Sequence, residues 1–372
     1  MVYIPLPKAG FVKIGGITIT VVSILFLLTS TYSPDSLTPG KYSVPGSSFH
    51  HGDSISNSDN GVIPNLVHYV HIMPDSPSGD IKFGLKDFIS IYSALLHFQP
   101  DSIYLHTDAS ETSIERAKDG PLASAPNKWA HLILNLPSVV VERISAPTTA
   151  SGSGVAIAGL EHKSDFVRAE AVYKHGGMYL DFDVYALRDI KPLRKAGFAN
   201  VLGRQKLGQI NSGCWMSQKG SVLMKMWVEG QNKVYDGKWT THSNILLTSL
   251  SESLVPKEGG DEILILDIKS FAPSSWEIED ATELFEEHPR GVVRDISENG
   301  SGATNNDTLP WEIDYSSSYV IHAFKAPGNN IANFHPEGIT MRYLLAQQSN
   351  FARAVYPAVK HAVDAGIISA DD

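Results

Sequence analysis

The sequence predicts an α/β fold, a mixed and mainly parallel sheet with helices on both faces, preceded by an N-terminal transmembrane helix. Three observations predict it. Short apolar runs of strand length alternate with longer amphipathic segments from residue 63 onward. An uncharged apolar stretch fills residues 14–32. Two carboxylates, Asp181 and Asp183, close a short apolar run in mid-chain, where open sheets of this class place their ligands.

The N-terminus comes first. Residues 1–13 hold Lys8 and Lys13 and no acid, and residues 14–32 carry no charge. A spanning helix needs roughly 20 apolar residues, and positive charge ahead of it keeps that end in the cytosol. The segment reads as a signal anchor behind a cytosolic tail, with the rest of the chain lumenal. A cleaved signal peptide is the rival, but no Ala-x-Ala site follows. Residues 33–62 are rich in Ser, Pro, Gly, Asn and Asp and read as a flexible stem. Two glycosylation sequons, at Asn299 and Asn306, fall in one polar, glycine-rich loop and agree with lumenal exposure.

The folded part reads as one domain, 63–365, followed by a tail, 366–372. The predicted strands are 63–70, 101–106, 139–144, 178–180, 199–203, 211–216, 263–266 and 319–323. The predicted helices are 86–98, one beginning at Ser164, 221–231, 243–254 and 351–365. Residues 148–154 read as a loop. The net charge of −10 argues against a nucleic-acid partner, and a single cysteine, Cys214, excludes an intrachain disulfide and reads as a small buried hydrophobe.

The central motif carries the chemistry. Ser164 is a good helix N-cap and Asp165 suits a first turn. Asp165 and Arg168, three apart, share a helix face. Gly176-Gly177 can stop the helix, and Met178-Tyr179-Leu180 can form a strand. Alternation along that strand would point Asp181 and Asp183 the same way and Phe182 into the core. Two carboxylates on one side suit a hard divalent cation carrying a diphosphate, and a helix N-terminus beside them suits anionic groups.

A bare Asp-x-Asp is common, but the wider pattern is specific. Ser164, Asp165, Arg168, Gly176, Gly177, Tyr179, Asp181 and Asp183 resemble the motif of the family 32 glycosyltransferases, which include α-1,6-mannosyltransferases and α-1,4-galactosyltransferases, here of a fungal or plant type. The similarity is close over 161–193 and looser over 63–324. It implies a GT-A nucleotide-sugar fold and transfer of a hexose, with retention, from a UDP- or GDP-linked sugar to a glycan or glycolipid hydroxyl. It further implies a single-pass type II protein of the Golgi or ER membrane.

The resemblance also implies site residues. Asp181 and Asp183 would hold Mn²⁺ (or Mg²⁺), with His322 as a third ligand at the end of a late strand. His68 would lie under the base of the donor, Asp165 and Arg168 would place the donor sugar and phosphates, Tyr179 would meet the ribose, and Asn211 would lie near the donor sugar. Trp239 and His242 would face the acceptor. Trp276 reads as a core tryptophan or a pocket residue. Three other classes fit parts of the sequence: a haloacid dehalogenase-like phosphatase using Asp181 as nucleophile, a two-carboxylate glycosidase, and a non-catalytic lumenal sugar-binding protein.

Overall fold

The computed structural model describes residues 62–255, 260–288, 309–324, 334 and 338–372. The anchor at 14–32, all of the stem but residue 62, and both sequons, Asn299 and Asn306, lie outside the described residues. Among the described residues no helix is long and apolar enough to cross a membrane.

Nine strands and eleven α-helices are described. The strands are β1 (Leu66–His71), β2 (Ser102–Thr107), β3 (Val139–Arg143), β4 (Gly177–Leu180), β5 (Val184–Ala186), β6 (Asn200–Arg204), β7 (Ile210–Ser217), β8 (Ile263–Leu266) and β9 (Val320–His322). The helices, in order, are α1 (Leu85–Phe98), α2 (Glu111–Lys118), α3 (Lys128–Leu134), α4 (Leu160–His175), α5 (Lys191–Arg194), α6 (Val222–Val234), α7 (Leu246–Leu254), α8 (Ile268–Phe271), α9 (Ile278–Phe285), α10 (Met341–Ala346) and α11 (Asn350–Asp364).

The main sheet has seven strands in the order β3-β2-β1-β4-β7-β6-β8. Among them only β7 runs against its neighbours, β4 and β6. The sheet is therefore mixed and mainly parallel, as the alternation of apolar runs predicted. Strands β5 and β9 form a separate antiparallel pair, with Val184 opposite His322.

The pleat sorts the core into two faces. Met178, Leu180, Val201, Cys214 and Met216 pack into one cluster with α1, α3 and α11. Tyr179, Leu202 and Trp215, each one residue out of step, pack into the other with α4, α6 and α7. Cys214 is fully buried, and burial raises its thiol pKa, as expected of a packing residue.

Two local expectations need correcting. Helix α4 starts at Leu160 with Gly159 as N-cap, one turn before Ser164. Leu160 and Val167, seven apart, both face the second cluster, so apolar packing draws the helix back past the serine. Residues 366–372 were read as a tail, yet Ile368 is buried in the first cluster and the Asp372 carboxylate pairs with Lys128.

His68 is also placed differently from its expected role beside the donor base. It is itself fully buried in the middle of β1 and stacks with Tyr104, His106 and His175. Its Nδ1 lies 2.9 Å from His106 Nε2 and its Nε2 lies 2.7 Å from the carbonyl of Gly176. Burial pulls its pKa down to about 3, and the neighbouring His106 adds to the shift. The residue is a neutral spacer between sheet and helix, away from the carboxyl ends of the strands.

The turn into β4 is tightly specified. Gly176 caps α4 at φ 70°, and Gly177 follows at φ +103°. A Cβ on Gly177 would lie 2.5 Å from the carbonyl oxygen of Leu66 on the adjacent strand. Gly197 also has positive φ, +86°, but open space around it. Gly177→Ala is expected to lose about 2 kcal/mol or more from combined backbone strain and overpacking, and Gly197→Ala only the backbone part. Thermal melts of the two variants check this; equal melting points would contradict it.

Candidate active site

Strand β4 ends at Leu180, and the next three residues form a turn. The Asp181 N–H donates to Gly213 O on β7 at 2.9 Å, and the Val184 N–H donates to Asp181 O at 3.0 Å. The two carboxylates therefore converge through a turn between β4 and β5, not through strand alternation. Phe182 points inward as expected, against Tyr69, His71 and Phe83. The turn lies at the carboxyl end of β4. There β1 is flanked by β2 on one side and β4 on the other, the crevice in which open α/β sheets bind ligands.

Strand β9 brings His322 to the same point. The Ala323 N–H donates to Asp183 O at 2.8 Å, and His322 Nε2 lies 3.2 Å from Asp183 Oδ1. Asp181, Asp183 and His322 each offer a ligand atom within 4.8 Å of the others. Gly213 makes this approach possible, since a Cβ there would sit 2.6 Å from both Asp181 Oδ2 and His322 Cε1. Two partly exposed carboxylates and one imidazole are a donor set that fits a divalent cation of the Mn²⁺ or Mg²⁺ kind, with the imidazole favouring Mn²⁺.

Asn211 belongs to the cluster. Its Oδ1 accepts the Gly213 N–H at 2.8 Å, which leaves its amide Nδ2 facing His322 Nδ1, also at 2.8 Å. An amide nitrogen donates, so Nδ1 of the neutral ring accepts and the ring proton resides on Nε2, directed at Asp183. In this arrangement His322 holds Asp183. It can ligate a cation only when that proton leaves Nε2.

The rest of the motif is a buried scaffold for Asp181. Arg168 Nη1 donates to Asp181 Oδ1 and Oδ2, each at 3.1 Å, and to Ser212 O at 2.9 Å. The Tyr179 hydroxyl donates to Asp181 Oδ1 at 2.5 Å, and the Ser164 hydroxyl bonds the same phenol. Burial holds the Tyr179 pKa above its ordinary value, so it stays a donor. Arg168 also lies over the Tyr179 ring, 5.1 Å from its centroid.

Behind Arg168 sits Asp165, its buried ion-pair partner three residues earlier on α4. His242 Nε2 lies 2.8 Å from the other Asp165 oxygen. Burial, reinforced by neighbouring His162 and Arg168, lowers the His242 pKa to about 3. The neutral ring therefore donates through Nε2. It comes from a π-helical turn, Thr241–Ile245, and stacks on Phe166.

These placements revise several expectations. Asp165, Arg168, Tyr179 and His242 are all buried. Through their side chains they meet one another and Asp181. The helix N-terminus expected beside the carboxylates is a turn earlier in the chain, so Asp165 and Arg168 act through side chains and not through free backbone amides. Trp239 is 65% exposed and touches the ring of His162, on the α4 flank of the site. A phosphatase using Asp181 as nucleophile fits poorly, because both its oxygens already accept hydrogen bonds. The scaffold was legible only as a shared face of Asp165 and Arg168. Its link to His242, 77 residues on, has no local signal.

Comparison with known proteins agrees with this geometry. Residues 87–205, which include the whole motif from Ser164 to Asp183, match the model of the glycosyltransferase sugar-binding region containing a DXD motif. The "glucan organizing enzyme 1" of Cryptococcus neoformans var. grubii is 23% identical over 227 residues, 58% of this chain. The chain spans about half, 55%, of that curated relative. Among solved structures, mouse xyloside xylosyltransferase 1 is 14% identical with a TM-score of 0.36, covering 56% of this chain and 87% of that one. A galactosyltransferase LgtC in complex with donor and acceptor sugar analogs is 13% identical with a TM-score of 0.32, covering 56% and 76%. The Asp181–Asp183 turn at a strand end lies within the match over 87–205, so this stretch of the chain is similar to the sugar-binding region of glycosyltransferases that contain a DXD motif.

Proposed function

We propose that the chain moves a hexose from a UDP- or GDP-linked donor to a hydroxyl of a glycan or glycolipid, with retention, using Mn²⁺ (or Mg²⁺) held by Asp183 and, directly or through water, Asp181. The observation that carries this reading is the convergence of Asp181, Asp183 and His322 at the carboxyl end of β4. The strand order supports a GT-A arrangement, with the nucleotide in the crevice between β1 and β4. A cation in this cluster supplies charge neutralisation to the departing nucleoside diphosphate.

The chain's own residues do the positioning. Arg168 and Tyr179 fix Asp181, and His322 and the β5–β9 pairing fix Asp183. In the transfer, the bond between the anomeric carbon and the diphosphate oxygen breaks. A bond to the acceptor oxygen forms on the same face, and the acceptor's proton passes to the departing diphosphate. Trp239, exposed on the α4 flank, remains a candidate acceptor contact. The lysines ahead of the apolar segment 14–32 support a type II anchor in the Golgi or ER membrane, with the enzyme domain lumenal.

Binding tests this reading. The midpoint of thermal unfolding should rise with UDP or GDP in the presence of Mn²⁺ and not in its absence, by mass action. Asp183→Asn should keep the unliganded midpoint and lose the Mn²⁺-dependent rise. Its Mn²⁺ affinity should fall by more than the roughly 10–100-fold typical of outer-shell losses. An unchanged Mn²⁺-dependent rise in that variant would exclude the assignment.

A second test addresses the His322 proton. In Asn211→Asp one carboxylate oxygen can still accept the Gly213 N–H, while the other accepts a proton from His322 Nδ1 and frees Nε2 as a lone pair. Titration calorimetry with Mn²⁺ alone should show affinity tightened by about tenfold, the scale on which such partners act. Unchanged or weaker binding would contradict the tautomer argument.

A further inference from the structure

Trp276, read from the sequence as a core tryptophan or a pocket residue, is 47% exposed and so not in the core. Single exposed aromatics are ordinary on protein surfaces. This one is set apart by what it touches. Its ring meets Phe324 edge-to-face at 5.5 Å, and Phe324 stacks on His322 at 3.8 Å with only 12° between the planes. A continuous ladder of rings thus runs from the imidazole beside Asp183 out to the indole at the surface.

The backbone is held to make this ladder. Phe324 has φ 54°, a left-handed conformation that bulky side chains rarely adopt and that marks stored strain at functional sites. The segment carrying Trp276 is pinned on the other side. Lys206 pairs with Glu277 at 2.7 Å and with Asp280 at 3.2 Å, and the Ser275 hydroxyl bonds the Asp280 carboxylate. Helix α8, just before it, is tied to the strand β9 region by the Tyr319 N–H donating to Ser270 O at 2.9 Å. The indole is therefore exposed but fixed in place, which lowers the entropy lost when a ligand covers it.

Its position chooses the ligand. The crevice between β1 and β4 is the natural seat of the nucleotide. Trp276 lies in the link between α8 and α9, and α8 packs on β6, on the far side of β4 and β7 from β1. Sugars present apolar C–H faces edged by hydroxyls, and a large rigid ring buries such a face at little entropic cost. We propose that Trp276, backed by Phe324, is a platform for a hexose ring of the acceptor glycan, one further unit out from the ring that receives the transferred sugar. This rests on the transferase reading above, but its test separates the two.

The full chain would be probed on an array of neutral hexose oligosaccharides in the presence of Mn²⁺ and UDP or GDP. The expected result is glycan binding by the wild type that falls about tenfold or more in Trp276→Ala and is largely kept in Trp276→Phe, with nucleotide affinity unchanged in both. Indole fluorescence should shift to the blue on glycan binding in the wild type and not in the variants. Equal glycan binding by Trp276→Ala would overturn the platform, and so would failure of the wild type to bind any glycan. Loss of nucleotide affinity in Trp276→Ala or Trp276→Phe would move the ring to the donor side and also overturn it. Glycan binding that depends on Trp276 while no nucleotide binds would support the platform and sink the transferase reading instead. Should Trp276→Ala fail to fold, as judged by circular dichroism, Trp276→Gln with the same measurements takes its place.

Discussion

The guanidinium of Arg168 lies between two carboxylates, Asp165 behind it and Asp181 in front. That arrangement answers a physical problem. Asp181 and Asp183 face one small cluster, and two like charges at close range repel unless something opposes them. Arg168 offsets one charge and fixes its geometry through two equal contacts. Being buried itself, it needs a counter-charge of its own, which Asp165 supplies, and Asp165 in turn accepts from the neutral His242. Removing one partner of such a buried pair costs about 3–5 kcal/mol, because a charge is left without water or partner. The packing of α4 on β1 and the π-helical turn that presents His242 bring the members of this chain together.

The two aspartates consequently have different roles. The two carboxylates are about equally exposed, 32% and 31%, but both oxygens of Asp181 accept from Arg168 and Tyr179, whereas Asp183 meets His322 through Oδ1 and is the less constrained of the two toward an incoming cation. The same logic runs through His322. The backbone N–H of Gly213 orients the Asn211 amide, the amide sets the imidazole tautomer, and the tautomer sets which atom faces Asp183. Gly213, inside a run that the sequence reads as a strand, thus sets the tautomer of an imidazole two contacts away.

Much of the framework was readable from residue order. The strand 263–266 and the helices near 86–98 and 351–365 followed from apolar periodicity, which depends only on neighbours in sequence. Helices α2 and α3 were missed although each carries a readable cap, Ser110 and Asn127, because both are short, α2 is weakly apolar, and the seven residues of α3 are too few to show a helical period. Strand β5 was missed because three residues give no period, and its partner β9 is far away in the chain. The site divides the same way. The carboxylate pair and the shared face of Asp165 and Arg168 were legible. The burial of His68 and Tyr179, the reach of His242 to Asp165 and the exposure of Trp276 are tertiary facts with no local period to announce them.

Manganese anomalous diffraction from crystals grown with Mn²⁺ and a nucleoside diphosphate tests the central claim most directly. The account predicts one peak within coordinating distance of Asp183, beside the diphosphate and with the Arg168–Asp181 contact preserved. A bound diphosphate with no peak there, or a peak ligated elsewhere on the chain, would contradict it.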